Sequence, residues 1–372
     1  MNPPPERKKL GRPTVFQDSI YVALRTRIVS GAVKPNDRFP TRRALCKEFD
    51  ASTVTIQQVV DRLVADKFLE AHGARGTFVT EAPPHLTRYA LVFPDNPESN
   101  RFWLALANEA SRMHHTKNLQ LENYFNIDGH TDRTEYKELV EHVTHHRLAG
   151  IIFASPPYLL KHTPLLTEPG IPRAIIGRDD NQTPGTRVTG PNHAPFVRAA
   201  EIIQSQGRKN VAVILSASNS GLAETIVDEL GMRGIHVPPW WIQYVNFAHP
   251  TGARNMANLL TRSVDGKRPD TLIITNDNLV EAATLGLLDS GVNVPDDVLV
   301  ITHCNFPWPP RNHTPVTRIG YNCGEYLEVC MKVIDDQRQG NECPPVYYLN
   351  KIEVEEAEAS TSDPQVLLPP SY

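Results

Sequence analysis

The stretch that decides the fold of the first domain is RFPTRRALCKEFDASTVTIQQVVDRLVADKFLEAHGARGTFV, residues 38–79. Pro40 and Thr41 supply the start of a short helix, and Ser52 is suited to cap a second helix that runs from about Thr53 to Lys67. Between the two helices, Asp50 and Ala51 form the turn. Residues 68–79 then predict a two-stranded hairpin around a Gly-containing tight turn. The apolar faces of the two helices are formed by Ala44, Leu45 and Phe49, and by Ile56, Val59, Val60 and Leu63.

An amphipathic helix is also predicted ahead of this stretch, over FQDSIYVALRTRIVSGAV, residues 16–33. Ile20, Leu24 and Ile28 fall on one face at four-residue spacing, and Gly31 is a suitable stop. A helix followed by a helix-turn-helix and a hairpin is the order of a winged helix-turn-helix. In such domains the N-terminal turn of the last helix enters the major groove of DNA.

Several polar residues of the head are expected to contact DNA. Gln amides pair with adenine edges, whereas Ser and Thr hydroxyls suit phosphates or thymine methyl groups. At the hairpin tip, Arg75 suits a narrow minor groove, and Gly76 lets the backbone approach DNA. The alternative for each polar residue is a merely solvated helix face. The predicted DNA-binding residues are Arg38, Thr41, Arg43, Ser52, Thr53, Thr55, Gln57, Gln58, Arg75 and Gly76.

Charge is distributed unevenly along the chain. Residues 1–80 carry 14 Lys and Arg against 8 Asp and Glu, whereas the remaining residues carry 24 against 34. Arg7, Lys8, Lys9 and Arg12 belong to a basic tail, but ten basic residues lie within the predicted folded head. A basic head on an acidic body indicates that a polyanion such as double-stranded DNA binds at the head and not at the body.

The head resembles the GntR-type winged helix-turn-helix over roughly residues 16–80. The resemblance implies that Arg43, Thr55 and Gly76 contact DNA and that Arg38 meets a phosphate. Two positions depart from the family: Thr53 stands where a base-reading Arg is usual, and Asp50 replaces the usual turn Gly. The operator sequence therefore cannot be carried over from relatives. The resemblance rests on Leu24, Arg25, Ile28, Gly31, Pro40, Arg43, Leu45, Ser52, Thr55, Ile56, Leu63 and GTFV at 76–79.

A Pro-rich segment, EAPPHLT at residues 81–87, predicts a linker to a larger body. Beyond it, apolar strand-like runs alternate with helical patterns, which indicates parallel sheets covered on both faces. Eight or more strands in about 270 residues exceed one comfortable sheet, so two lobes with a cleft are expected. The predicted strands are YALVFP, LQLENYF, AGIIFAS, PRAIIG, NVAVILS, WIQYVNF, DTLIITND and DVLVITH; the predicted helices span 102–117, 134–147, 194–206, 221–234, 251–264, 278–290 and 321–338.

Residues 88–355 resemble the effector domain of LacI/GalR-type regulators, which have a periplasmic-binding-protein-like fold. The resemblance is carried by RPDTLIITNDNLVEAATLGLLDSGVNVPDDVLVIT at 268–302, by TPVTRI at 314–319 and by EIIQSQGRKNVAVILS at 201–216. A GntR-type head joined to this body is the arrangement of arabinose-type repressors. The resemblance implies an α+β winged helix-turn-helix head on an α/β two-lobed body with a sugar-like effector in its cleft.

The resemblance places Asn276 at a strand end, where its amide would bond a hydroxylated ligand; Asp277 is as suited to capping the next helix. The family has three charged residues that hydrogen-bond sugars, and this chain has other residues at their positions. His303, Cys304 and Asn305 stand where an Asp is usual after the DVLVIT strand, Leu222 stands where an Arg is usual, and Gly190 or Pro191 stands where a second Asp is usual. These losses weaken the inference of a sugar. Trp240, Trp241, Phe306 and Trp308 suit stacking on a sugar ring, packing or a partner surface. The predicted effector residues are Asn276, Asp277, His303, Asn305, Trp308, Asp95, Ser155 and Arg178.

Catalysis finds little support in the sequence, which lacks G-x-S-x-G, G-x-x-x-x-G-K-[ST], H-E-x-x-H and a G-x-G-x-x-G after a strand. No catalytic residue, cofactor or metal is expected. Five cysteines without a C-x-x-C pair indicate free thiols, and His142 with His146 suits a solvated helix face better than a metal.

The sequence thus predicts a cytoplasmic homodimeric repressor that binds an operator under the control of a small molecule. No membrane span or signal peptide is expected. The alternative is a body that serves only for dimerisation or protein interaction. The predicted ranges are a basic tail at 1–15, the head at 16–80, the linker at 81–87, the effector and dimerisation body at 88–355 and a C-terminal tail at 356–372.

Overall fold

The head begins with three helices whose apolar faces meet in one core. The computed structural model describes residues 12–117, 120–177, 183–217, 221–262 and 267–360. Strands β1 and β2 pair antiparallel, with Leu69 opposite Val79, and form the predicted wing. Buried Ile20, Leu24, Leu45, Ile56 and Phe68 belong to the core. The head elements are α1 Arg12–Val29, α2 Arg42–Phe49, α3 Thr53–Ala65, β1 Leu69–Ala71 and β2 Thr77–Val79.

Side-chain caps fix the two helices of the helix-turn-helix, as the sequence predicts. Thr41 accepts a hydrogen bond from the Ala44 amide at 3.3 Å, and Ser52 accepts one from the Thr55 amide at 3.1 Å. These bonds satisfy amides that have no partner inside the helix. Asp50 makes the turn in the left-handed conformation, at φ 47° and ψ 47°.

The first lobe of the body is a six-stranded parallel sheet in the order β13-β7-β6-β5-β3-β4. One face packs against α5 and α12, and the other packs against α6 and α7. Both faces are apolar because both are covered. The elements of this lobe are β3 Arg88–Val92, α5 Arg101–Lys117, β4 Gln120–Tyr124, α6 Thr134–Thr144, β5 Gly150–Phe153, α7 Pro164–Thr167, β6 Arg173–Ile176, β7 Thr186–Thr189, α12 Cys323–Arg338 and β13 Val346–Tyr348.

The second lobe repeats this architecture in the strand order β14-β12-β11-β10-β8-β9. Only β14 runs antiparallel to its neighbour. Helices α8 and α9 cover one face of the sheet, and α10 and α11 cover the other. The elements of this lobe are α8 Ala194–Ser205, β8 Val211–Ser216, α9 Leu222–Gly231, β9 Ile242–Val245, α10 Thr251–Thr261, β10 Thr271–Ile274, α11 Val280–Ser290, β11 Leu299–Phe306, β12 Val316–Asn322 and β14 Glu353–Ala357.

The chain crosses between the lobes three times, after β7, between β12 and α12, and between β13 and β14. These crossings place the carboxyl ends of strands from both lobes beside one cleft. The fold is therefore the expected winged helix-turn-helix head with a two-lobed α/β body. The eight predicted strands and seven predicted helices of the body are all present, and β7, β12, β13 and β14 complete the sheets.

The segment between head and body is partly ordered by contacts. Helix α4, Pro84–Thr87, occupies the second half of the predicted linker, and Pro84 and His85 are buried. At the other end of the body, β14 continues to Ala357, and Ser360 bridges to Asn312. The tail predicted to start at 356 thus begins within a strand. Residues 361–372 and the predicted tail residues 1–11 lie outside the described residues.

Candidate DNA-binding surface and effector cleft

The first turn of α3 lies on the surface of the head. Ser52 and Thr53 are exposed, Thr55 is half-buried, and the Ser52 and Thr55 hydroxyls lie 2.9 Å apart. Val54 was not predicted as a contact, yet its side chain is 67% exposed. The signal was available in the sequence, because Val54 lies off the apolar spacing of α3. An exposed methyl pair beside Thr53 suits a thymine methyl group.

The two predicted glutamines already have partners inside the head. Gln57 donates from Nε2 to Asp61 Oδ1 at 2.6 Å, and Gln58 Oε1 accepts from Gln17 Nε2 at 2.5 Å. Each is a surface bond that can exchange for a bond to a base edge. Base contact by either side chain therefore requires a change of partner.

A basic groove lies between the start of α2 and the wing. It is lined by Arg38, Thr41, Arg42, Arg43 and Gly76, together with neighbouring backbone. The Arg38 region pairs with the wing, since the Phe39 amide donates to Thr77 O at 2.8 Å. Arg42 adds to the residues predicted from the sequence. Arginine side chains beside the N-terminus of a helix have the chemistry that binds phosphate.

Gly76 is required by the geometry of this groove. Its φ of 108° disfavours other residues, and an added Cβ would lie 3.3 Å from Arg38 Nε. Arg38, Arg43 and Arg75 are exposed and make no ion pair within the part of the chain that the structure describes. Their charges are thus free to meet an external anion.

The residues predicted at the cleft are brought together, but they bond one another. Asn276 Oδ1 accepts from the Asn278 amide at 2.9 Å and so caps a short helical turn. Asp277 is 3% exposed and accepts from Asn305 Nδ2 at 2.6 Å. Asn305 Oδ1 in turn lies 3.3 Å from His303 Nε2. The carboxylate of Asp277 is therefore already hydrogen-bonded within the protein.

The side chain of Trp308 forms a hydrogen bond between the two lobes. Its Nε1 donates to Glu109 Oε2 at 3.3 Å, and Glu109 is fully buried beside Arg112. A second bridge is made by Arg101, whose backbone amide donates to Asn278 Oδ1 at 2.9 Å. This part of the cleft is therefore closed by protein contacts.

The first-lobe candidates do not join this cluster. Asp95 is exposed after β3 and accepts a bond from the Asn96 amide at 2.8 Å. Ser155 is half-buried after β5. Arg178 lies outside the described residues. Trp240, considered as a stacking residue, is 69% exposed and borders a surface hollow with Trp241 and Leu259.

A cavity of about 200 Å³ lies beside this cluster, at the carboxyl-terminal parts of β10 and β12 and the middle of β11. Its walls are the strand segments at 273–275, 301–303 and 319–321, the crossing and α8 start at 189–199, and Leu222 with Tyr326. His303 is the one predicted effector residue in this lining. None of the lining side chains is Asp, Glu, Lys or Arg.

Two tyrosines tie the crossing after β7 to this cavity. Tyr321 donates to Pro191 O at 2.8 Å, and Tyr326 accepts from the Gly190 amide at 3.2 Å. Burial raises the pKa of Tyr321 to about 12 and raises that of Tyr326 further. Both side chains stay neutral over the physiological range.

The head contacts the first lobe through a polar network that the sequence did not indicate. Tyr21 donates to Asp66, and Asp66 pairs with Arg147 of the body at 2.9 Å. Arg62 lies 4.0 Å above the Tyr21 ring and 3.0 Å from His145 Nε2 of the body. Burial, together with the bond to Asp66, raises the pKa of Tyr21 to about 12.

Linker helix α4 adds a second contact. The His85 ring stacks on Phe68 of the head at 5.8 Å, and Arg338 donates to the carbonyl oxygens of His85 and Leu86 at 3.3 and 3.4 Å. Burial lowers the pKa of His85 to about 4. Since Arg338 ends α12 and Tyr326 lies near its start, one helix runs from the cavity to the linker.

Other kinds of site receive no support from the described residues. Within the ranges given above, there is no cluster of three His, Cys, Asp or Glu side chains that suits a metal. His142 is buried and bonds Tyr124 through Nδ1 at 2.9 Å. The five cysteines are free thiols, of which Cys304, Cys323 and Cys330 are buried. No helix among the described residues has the length and apolar character to cross a bilayer.

Comparison with known proteins identifies the head. Residues 16–79 match the family described as bacterial regulatory proteins, gntR family. The chain is 36% identical over 78 residues to the mannosyl-D-glycerate transport/metabolism system repressor MngR of Escherichia coli, covering 21% of this chain and 32% of that repressor. It is 40% identical over 57 residues to the HTH-type transcriptional regulator TauR of Rhodobacter capsulatus, covering 15% and 12%. The match thus spans a third or less of these relatives.

The body is matched by solved structures. A LacI family transcriptional regulator from Lactobacillus casei with bound glucose superposes with a TM-score of 0.53 at 15% identity, over 74% of this chain and 100% of that one. The same regulator with bound sucrose gives a TM-score of 0.53 at 14% identity, over 73% and 99%. At this identity the likeness concerns the fold. The chain therefore joins a gntR-family winged helix-turn-helix domain to a body with the two-lobed, periplasmic-binding-protein-like fold of LacI-family regulators.

Proposed function

We propose that this protein is a sequence-specific DNA-binding transcriptional regulator, and in particular a repressor controlled by a small molecule in the body. The observation that carries the proposal is the exposed first turn of α3 beside an Arg-lined groove, in a domain of the gntR family. Helix entry into the major groove would place Thr53, Val54 and Thr55 near base edges. The similarity of the head to MngR, a repressor, and to TauR, an HTH-type transcriptional regulator, supports the same role.

The phosphate contacts are assigned to the groove and to the wing. Arg38 and Arg43 would hold one backbone strand, while Arg75 at the wing tip would approach the adjacent minor groove. Thr41 and Ser52 would contribute helix N-termini, which favour anions. Gln57 and Gln58 would read bases after giving up their bonds within the head.

We propose a homodimer whose two heads occupy pseudo-palindromic half-sites, because symmetric dimers place identical heads on related DNA sequences. The effector would bind where strand ends of the lobes meet. The sequence favours a sugar or a sugar-like compound, and the structural neighbours that are described with bound glucose and with bound sucrose support a small-molecule effector.

Coupling between effector and DNA would use two connections. Helix α12 extends from Tyr326 at the cavity to Arg338 at the linker, and the Asp66–Arg147 pair fastens the head to the first lobe. A ligand that moves the lobes would shift α12 and α6 relative to the head. A coupling of about 1 to 3 kcal/mol would change DNA affinity by several-fold to a hundredfold.

The alternative function is a DNA-binding regulator whose body only dimerises or binds another protein. One observation favours it: the side chains of Asp277, Asn305 and Trp308 form hydrogen bonds with other residues of the body. Thermal unfolding in the presence of sugars, glycosides and nucleosides separates the two functions, because a ligand of the folded state raises its stability by mass action. An unchanged unfolding temperature with every compound, together with DNA affinity that cell extracts leave unchanged, would support the alternative.

The DNA-binding proposal is tested by selection from random duplexes with the full-length protein. We expect recovery of a pseudo-palindromic sequence whose half-sites lie about 10 bp apart, or a multiple of that spacing. Arg43→Ala should recover little DNA while remaining folded by circular dichroism. Recovery of unrelated sequences with no shared pattern would contradict sequence-specific binding.

A further inference from the structure

A broad surface hollow lies on the second lobe, at the end of its sheet that is remote from the cleft. It opens beside Asn210, the residue before β8, and its walls are the turn Pro239–Trp241 and the last turns of α10. We call this surface, which has a volume of about 1020 Å³, the distal hollow. It is separate from the cleft, which lies toward the carboxyl-terminal ends of strands in the same sheet.

Large apolar side chains are exposed together in the distal hollow. Trp240 is 69% exposed and Leu259 is 57% exposed. Trp241, Met256 and Leu260 also line the hollow, and they pack against the core of the lobe. The hollow thus has an apolar floor fixed to the lobe and two uncovered apolar side chains. A cluster of this kind marks an interaction surface, and Trp is one of the residue types that contribute most to binding at protein interfaces.

The charge of the distal hollow is opposite to that of the body as a whole. Arg262 and Lys267 are exposed in its lining, and neither forms an ion pair with another residue that the structure describes. None of the described residues that line the hollow is Asp or Glu. The chain beyond residue 80, by contrast, has 34 acidic against 24 basic residues. A cationic surface of this kind complements an anionic partner.

Two carboxylates next to this lining are already bonded within the lobe. Asp297 pairs with Arg268, the third basic residue of the lining, at 2.6 Å. Asp270 accepts a hydrogen bond from Asn210 Nδ2 at 3.2 Å. The charges that remain for a partner are therefore those of the two cations without an ion pair.

A short acidic peptide segment fits this charge better than a nucleic acid does. A nucleic acid carries a charge on every phosphate and needs cations along its whole path, whereas the acidic body would repel it beyond the hollow. A few carboxylates on a peptide interact mainly with the cations they touch, because salt screens charges more than about 10 Å away.

We propose that the distal hollow is a docking site for a partner protein, which binds through an acidic segment with aromatic or aliphatic side chains. The apolar side chains of the segment cover Trp240 and Leu259, and its carboxylates pair with Arg262 and Lys267. The head enters the body at the start of β3 in the other lobe. Docking at the distal hollow therefore leaves the head free and depends neither on DNA binding nor on what the cleft holds.

The test is a selection of short random peptides, displayed on phage, with the full-length protein as bait. The library is first depleted on the Trp240→Ala variant, which removes peptides that bind elsewhere, including the basic head. This variant should fold, because the Trp240 side chain is largely exposed. We expect the peptides that then bind the wild type to be acidic and to contain Leu, Phe or Trp.

Synthetic copies of these peptides give the affinities by fluorescence anisotropy. Trp240→Ala and Lys267→Glu should each weaken binding by at least about tenfold, and added salt should weaken binding to the wild type. The matched controls are Tyr348→Ala, which removes an exposed aromatic side chain, and Lys137→Glu, which reverses an exposed cation. Both lie in the first lobe and should bind the peptides like the wild type.

The proposal would be overturned if no peptide distinguished the wild type from Trp240→Ala, or if the selected peptides were neutral or basic. Unchanged affinity in Lys267→Glu would refute the role of charge. Two further outcomes would assign the hollow to another occupant and refute a partner protein. One is a single-stranded oligonucleotide that binds the wild type but not Trp240→Ala. The other is a smaller assembly of Trp240→Ala in sedimentation, which would show that a second copy of the chain covers the hollow.

Discussion

Asp50 occupies a backbone conformation that most residues avoid. It ends α2 at φ 47° and ψ 47°, and its amide donates to Cys46 O. The left-handed region crowds Cβ against the backbone, and only Gly enters it without cost, although Asp tolerates it better than most residues. The turn of the helix-turn-helix therefore carries a small strain at this residue.

Asp50→Gly should relieve that strain and raise the free energy of unfolding by about 0.5 to 1 kcal/mol. Urea denaturation of the wild type and the variant measures the change. Asp61→Gly makes the same substitution inside α3 and should lower stability instead, because Gly is unfavourable in a helix. A destabilised Asp50→Gly protein would show that the Asp side chain contributes more than its backbone costs.

At the level of single residues, hydrogen bonds between sequence neighbours were predictable, whereas hydrogen bonds between residues far apart in the sequence were not. Thr41 and Ser52 cap their helices as predicted, because a cap depends on neighbouring amides. The bond between Asp277 and Asn305 joins residues 28 positions apart and depends on how β10 and β11 pair. A sequence pattern cannot indicate that such a carboxylate is already occupied.

Among the elements, α4 shows how a predicted linker acquires structure through contacts. Its residues lack periodicity, but His85 is 6% exposed and stacks on Phe68, and its Nδ1 has no hydrogen-bond partner among the residues that the structure describes. Strand β14 escaped prediction for a similar reason, since it is the charged segment EVEEA and only its pairing with β12 makes it a strand. The strands with continuous apolar runs were predictable, whereas buried β7 and β12 were not, because Thr and Arg interrupt their apolar residues.

Stability should depend on pH through His85. Burial lowers its pKa in the folded protein to about 4, below the usual 6.5. Between these values the unfolded chain binds a proton that the folded chain does not, so the free energy of unfolding should fall as pH is lowered from about 6.5 to 4. The stabilisation is complete above about pH 6.5. The loss should be on the order of 1 to 3 kcal/mol for this group.

His85→Phe should keep the stacking on Phe68 and reduce this pH dependence. Buried His142, whose pKa is also lowered to about 4, and His146, whose pKa is lowered mainly by burial, contribute to the part that remains. Denaturant midpoints at pH 7 and pH 5 give the comparison, with His162→Phe on the surface as control. An unaltered pH dependence in His85→Phe would refute the assignment to this imidazole.

On the scale of the whole molecule, the head is fastened to the body at two places. Asp66 and Arg147 have side chains only 10% and 16% exposed, and Arg62 reaches His145 from the same helix of the head. The other connection is linker helix α4, whose His85 stacks on Phe68 of the head and accepts a hydrogen bond from Arg338 of α12 through its carbonyl oxygen. The order of the two domains was predictable from their sequence patterns. The contact between head and body was not predictable, because it depends on a few isolated polar residues in each domain.

Asp66→Ala should loosen the head from the first lobe. Loss of a partly buried charged hydrogen bond is worth about 1.5 to 3 kcal/mol, so backbone amides of residues 81–87 should exchange hydrogen at least about tenfold faster. Asp289→Ala removes an ion pair with Arg254 inside the second lobe and serves as control. Equal exchange in the two variants would mean that Asp66 does not fasten the head.

The central claim, that the head binds DNA through its Arg-lined groove, is tested most directly by affinity for the selected duplex as a function of salt. Arg43→Ala should weaken binding and reduce the slope of log K against log salt by about 1 per head, because one phosphate contact is lost. Arg198→Ala, which removes a body charge paired with Glu201, should leave affinity and slope unchanged. Wild-type affinity and an unchanged slope in Arg43→Ala would contradict the claim.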